Sequence, residues 1–178
     1  MSILKIAKLG HPVLRQVAQP VPSKEIASPE IQRLIRDMVE TMREYEGVGL
    51  AATQVHQSVQ ILAVDALGDP KNPKETTTPL TVLINPVITV VSETLEEGWE
   101  GCLSIPNMRG LVPRHREIKV QAVDPSGRSI HIQAKDFFAR VIQHEHDHLT
   151  GIVFLDRMRS LSSLTYLKEY SRFWQKLD

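Results

Sequence analysis

The segment that most restricts the fold is His144-Glu145-His146-Asp147-His148. Its five polar side chains can be presented in two ways, and each demands a different scaffold. On a strand, His144, His146 and His148 all face one side and could form a three-histidine site. On a helix, His144 and His148 lie one turn apart on one face, and His146 points elsewhere. The flanks decide between them. Residues 137–143 do not alternate, because Gln143 sits where a strand would need an apolar residue. The helical period holds from Phe138 through Val141 and Ile142 to Leu149. The pattern therefore predicts a helix over 136–149, capped by Asp136 and stopped by Gly151.

Read as a helix, the segment has the form His-Glu-x-x-His. Two imidazoles four residues apart can grip one cation, and the glutamate beside the first reaches the ion's water rather than the ion. Such a site needs a third protein ligand. The spacing His-Glu-x-x-His-x-x-Gly-x-x-His is met at Gly151 but fails at Phe154, and no histidine follows His148. Asp156 and Glu169 are downstream candidates. Cys102 is the more telling one, in Glu100-Gly101-Cys102-Leu103-Ser104. A thiolate and two neutral imidazoles leave a divalent ion with net charge +1 and an open position. That suits both activation of water and polarisation of a carbonyl. Three other readings stay open on the residues alone. They are an endopeptidase with a carboxylate third ligand, a Cys102 nucleophile served by a histidine base without metal, and a structural ion in a binding module.

Composition narrows the classes. A single cysteine excludes an intramolecular disulfide and with it a bridge-stapled secreted scaffold. Twenty-one Lys and Arg balance twenty-one Asp and Glu, so no global field favours nucleic acid. No run approaches the roughly 20 apolar residues of a membrane helix. The first residues are too few and too mixed for a signal peptide, and a cytoplasmic protein is expected. The 178 residues suit one domain, 1–178.

Several other elements are legible. Ser28 and Pro29 open a helix over 29–46, with Ile31, Leu34, Ile35, Met38, Met42 and Tyr45 on one stripe and Gly47 as its left-handed stop. Residues 59–65 read as a buried strand and 67–79 as a loop. Residues 80–91 read as a strand interrupted at Asn85-Pro86. Strands at 117–123 and 129–134 flank the turn Asp124-Pro125-Ser126-Gly127. A helix near 163–175 carries Leu164, Leu167, Tyr170 and Trp174 on one side. The expected class is α+β: antiparallel β-sheets packed around a central metal-bearing helix, plus an N-terminal and a C-terminal helix.

Three segments then coincide: Gly47-Val48-Gly49-Leu50-Ala51-Ala52-Thr53-Gln54, Glu100-Gly101-Cys102-Leu103-Ser104 and Gln143-His144-Glu145-His146-Asp147-His148. In this order they resemble the three signature motifs of peptide deformylases, and the resemblance extends to Lys8–Arg15 and Cys102–Arg114. Thr53 departs from it, standing where the family usually has proline. The resemblance implies an enzyme that removes the formyl group from N-formyl-methionyl peptides, including nascent chains at the ribosome; the charge balance and hydropathy above add the expectation of no nucleic-acid site and no membrane contact. It implies Cys102, His144 and His148 as ligands of one divalent metal ion. Ferrous iron is expected, and zinc, nickel or cobalt would fit the same site. Glu145 would act as general base and acid. The Gln54 amide and the Leu103 backbone N–H would donate to the developing oxyanion. Gly49 would pair with the peptide backbone as an added strand does. Val48 and Leu50 are candidates to line a pocket for the methionine side chain, Arg109 to contact peptide carbonyls, and Glu100 and Arg114 to form an ion pair.

Overall fold

The computed structural model describes residues 2–65 and 79–175. The loop expected at 67–79 lies, apart from Pro79, outside the described residues. Helix α1 spans Pro29–Glu44. The Ser28 hydroxyl caps it, accepting from the Ile31 N–H at 3.3 Å. Its left-handed stop is Glu46, at φ 53°, and not Gly47. The chain turns one residue earlier than glycine preference suggests, and the Gly47 N–H then reaches the Met42 carbonyl at 2.8 Å.

Strands β1 (Gly49–Ala51), β2 (Ile61–Val64), β3 (Thr81–Val90), β6 (Glu117–Val123) and β7 (Ser129–Lys135) form a five-stranded antiparallel sheet in the order β1-β2-β3-β6-β7. The interruption expected at Asn85-Pro86 is a bulge: the register with β6 shifts between Ile84 and Val87, and Asn85 sits at φ 52°. One proline lacking an N–H is absorbed this way without ending the strand. A second sheet joins β4 (Leu95–Cys102), β5 (Ile105–His115) and β8 (Thr165–Tyr166). Alternation did not announce the β4–β5 hairpin.

Helix α2, Asp136–Leu149, touches strands of both sheets. Its Ala139, Val141, Ile142 and Leu149 pack with Leu62, Val64, Leu83, Ile118 and Val120 of the larger sheet. Asp136 does not cap it. That residue is itself at φ 51° and pairs its carboxylate with Arg116. The C-terminal stop is as expected: Gly151, at φ 76°, lets the Ile152 N–H return to the Asp147 carbonyl at 2.9 Å. Helix α1 packs on the other face of the sheet, where Met38 and Met42 meet Leu50, Ile61 and Ile84. Behind α2 come short α3 (Phe154–Arg157), a 3₁₀ turn at Leu161–Ser163 and α4 (Leu167–Phe173). The C-terminal helix is thus shorter than 163–175. Thr165 and Tyr166 pair with Arg109 and Met108 as β8 instead.

Candidate metal centre

Three backbone segments converge where α2 passes between the sheets. His144 and His148 come from consecutive turns of α2, Cys102 from the end of β4, and Gln54 from the 3₁₀ turn Ala52–Val55 that follows β1. Cys102, His144 and His148 each offer one ligand atom, and these atoms lie within 4.8 Å of one another. Cys102 Sγ is 3.2 Å from His148 Nε2. Among the described residues no other Cys, His, Asp or Glu group is so arranged. Asp156 is committed elsewhere, accepting from the Val153 N–H and pairing with Arg15. Glu169 lies on α4 outside the group. His146, as the helical reading requires, points away from the three.

Two of the three ligand candidates are held from behind, while the buried Nδ1 of His148 has no partner among the described residues. His144 donates from Nδ1 to Glu100 Oε2 at 2.8 Å, which leaves Nε2 for the centre. Arg114 clasps both oxygens of Glu100, at 2.9 and 3.0 Å, and extends its third nitrogen to Asp147 at 2.5 Å. Arg157 also meets Asp147. The expected Glu100–Arg114 pair is therefore present, as part of a longer buried chain of charges. Burial alone would raise the Glu100 carboxyl, but hydrogen bonds from His144 and Arg114 draw it down to about 2. Burial likewise opposes the Cys102 thiolate. The charge of His148 and hydrogen bonds from both histidines nonetheless bring the thiol well below its ordinary value. The Ser104 N–H adds a further bond to Sγ at 3.4 Å. The site thus favours the thiolate, the form that binds metal.

Gln54 is fully buried, and its amide orientation is fixed by elimination. Oε1 accepts from the Ala51 N–H at 2.8 Å, so Nε2 must face the centre, 3.4 Å from Cys102 Sγ and 3.4 Å from Ser104 Oγ. Leu103 adjoins Cys102 in the turn between β4 and β5. Thr53 accounts for itself: its buried hydroxyl donates to the His148 carbonyl at 3.1 Å, tying the Gln54 turn to the end of α2.

Glu145 is buried against Gly49. A Cβ on residue 49 would meet Glu145 Oε1 at 2.5 Å, so only glycine leaves the carboxylate its place. Burial lifts the Glu145 carboxyl to about 7. Its Oε2 has no partner among the described residues. A carboxyl near neutrality with one free oxygen can accept and return a proton at physiological pH.

The outer residues divide. Val48 is exposed, and Gly49 lies on β1, the terminal strand of its sheet, all three of whose residues are buried. Leu50 is fully buried in the core with Met38 and Met42. Strand alternation turns it to the opposite side from the residue next to it. Arg109 lies over the backbone of Gly101, where any Cβ would collide with its guanidinium. Sequence reasoning missed Ser104 as a partner of the sulfur and Asp147 as the far end of the charge chain.

The donor set suits a divalent transition metal: one soft thiolate, two imidazoles and a fourth side facing Glu145 and Gln54. Comparison with known proteins agrees. The family model described as polypeptide deformylase matches residues 3–163. Peptide deformylase 1 of Nitrosomonas europaea is 44% identical over 164 residues, covering 92% of each chain. Peptide deformylase 1 of Bordetella pertussis is 45% identical over 161 residues, covering 90% of each. Among solved structures, a class I type b peptide deformylase from Acinetobacter baumannii with Met-Ala-Ser bound superposes with a TM-score of 0.84 at 37% identity. It covers 88% of this chain and 99% of that one. The Thermotoga maritima peptide deformylase gives a TM-score of 0.79 at 33% identity over 90% of this chain and all of that one.

Proposed function

The chain belongs to the polypeptide deformylase family, and from that premise we propose that it removes the formyl group from N-formyl-methionyl peptides by metal-dependent hydrolysis, releasing formate. The whole chain, 1–178, acts as one catalytic domain. Cys102, His144 and His148 hold one divalent ion, ferrous iron in the native protein, with zinc, nickel or cobalt able to replace it. When bound there, the ion supplies Lewis acidity to a water molecule and to the formyl carbonyl.

The remaining steps belong to the protein. Glu145 takes a proton from the attacking water and returns it to the departing amine, a role supported by its burial and its carboxyl near 7. The Gln54 amide and the Leu103 N–H donate to the oxygen on which charge develops; the Ala51 N–H bond to Gln54 Oε1, which turns Nε2 toward Cys102, supports the first. The peptide lies along the edge of β1 and pairs with Gly49, Val48 flanks the methionine side chain, and Arg109 meets a peptide carbonyl. No helix among the described residues is long and apolar enough to cross a membrane. Nascent chains emerging from cytoplasmic ribosomes are the proposed substrate pool.

The observation that carries this reading is the meeting of one sulfur and two ring nitrogens within 4.8 Å beside a buried carboxylate. Anaerobically purified protein, assayed for formate release from a formyl-methionyl peptide alongside elemental analysis, tests it. Glu145→Ala should keep the metal and lose turnover by several orders of magnitude, and Cys102→Ala should lose the metal. Full activity after exhaustive chelation would overturn it in favour of a cysteine nucleophile.

A further inference from the structure

Arg140 precedes His144 by one helical turn on α2 and takes no part in the steps above. Its guanidinium leaves the helix and crosses β4. Nη1 donates to Glu100 Oε1 at 2.9 Å and to the Val112 carbonyl at 2.8 Å, and Nη2 donates to the Glu96 carbonyl at 2.6 Å. The side chain is only 13% exposed. It can lie there because residue 98 has no Cβ; one would meet Arg140 Cζ at 2.8 Å and Nη2 at 2.9 Å. Gly98 is thus a notch cut for this guanidinium, an observation independent of the hydrogen bonds.

The consequence falls on Glu100. Arg114 holds both of its oxygens and divides its guanidinium between Glu100 and Asp147. Arg140 is anchored to backbone carbonyls of both β4 and β5. Its bond to Oε1, added to that of Arg114 Nε, saturates that oxygen and leaves Oε2 directed at His144 Nδ1. Outer partners of this kind set the tautomer and ring plane of a ligating histidine, and losing one typically costs about 10–100-fold in metal affinity.

We infer that Arg140 is a positioning residue of the metal centre: through the Gly98 notch it fixes the Glu100 carboxylate, which in turn orients His144. The inference rests on reading Cys102, His144 and His148 as metal ligands. The test uses cobalt(II)-loaded full-length protein, following transfer of cobalt to a chelator and the thiolate-to-cobalt absorption band. Arg140→Met should release cobalt about tenfold faster with far-ultraviolet dichroism unchanged. Gly98→Ala, which displaces the guanidinium without removing it, should act in the same direction. In a Glu100→Gln background, Arg140→Met should add less than about twofold, because its effect runs through that carboxylate. A release rate within about twofold of wild type in both single variants would overturn the inference. So would a full effect persisting in Glu100→Gln, since that would make Arg140 only a brace between α2 and β4. Should Arg140→Met not fold, Gly98→Ala alone decides on the same criterion. Wild-type protein that takes up no cobalt would instead overturn the metal reading beneath, a result visible before any variant is made.

Discussion

Gly49→Ala is the smallest change that reaches the proposed acid–base group without touching it. The new methyl would sit 2.5 Å from Glu145 Oε1 and 2.8 Å from its Cδ and Cγ. To reach the 3.4 Å of ordinary contact, the carboxylate must retreat by about 0.9 Å. Misplacing a catalytic group by about 1 Å costs roughly a hundredfold in rate, or about 2.7 kcal/mol of barrier. Formate release from a formyl-methionyl tripeptide, with metal content measured on the same preparation, reads the effect. The expected result is a kcat lowered about a hundredfold at unchanged metal stoichiometry. Because Gly49 is also proposed to pair with the peptide backbone, KM should rise as well, so the two parameters need separating. In a Glu145→Ala background the same substitution should leave kcat nearly unchanged, since the group it displaces is gone. A Gly49→Ala enzyme with kcat within about threefold of wild type would refute the argument, for it would mean the carboxylate position is not what limits the chemistry.

Other substitutions probe the supports. Thr53→Val removes the hydroxyl bonded to the His148 carbonyl and should cost about 1 kcal/mol, lowering Tm by about 2–4 °C, with Thr53→Ser restoring it. Arg114→Met removes the buried cation shared by the Glu100 and Asp147 carboxylates, which keep Arg140 and Arg157, and should cost about 2–3 kcal/mol, a fall in Tm of roughly 5–10 °C by calorimetry. Asp156 has its carboxyl held below the usual range: burial opposes this, but hydrogen bonds from Arg15 and the Val153 N–H prevail. A depressed carboxyl stabilises the fold above its unfolded pKa of about 4, and that contribution disappears as pH falls through the lower folded value. Denaturant melts of wild type and Asp156→Asn should therefore differ at pH 7 and converge in acid; a gap that widens on acidification would sink the assignment.

How much of this was legible in the sequence depended on whether a residue obeyed its local pattern. Helix α2 was, because its apolar face and its ligand spacing share one period. Helix α1 was, down to its Ser28 cap. The bulge at Asn85-Pro86 was visible as a break because proline cannot donate in a ladder. Of the stripe Leu164, Leu167, Tyr170 and Trp174, the last two pack on Trp99 at 4.9 and 5.6 Å, while Leu164 precedes the helix. Yet the open edge of β5 captured Thr165 and Tyr166 first, so tertiary pairing cut the helix short.

The β4–β5 hairpin stayed hidden for a more instructive reason. A strand is recognised by apolar residues on its inward face, and here the inward positions hold the Glu100 and Arg114 carboxylate–guanidinium pair, both about 5% exposed. Gly98 and Gly101 further lower the strand signal, because the first makes room for Arg140 and the second for Arg109. The residues that erased the pattern are those that build the centre. A buried charge chain reads as surface until its partners are known, and the partners of Glu100 lie 14, 40 and 44 residues away. Local propensity fails where a fold gives up regularity to hold a site. The stretch from 95 to 115, to which no period assigns an element, therefore carried information of its own: acidic, basic and glycine residues between two strands marked where the long-range contacts had to be.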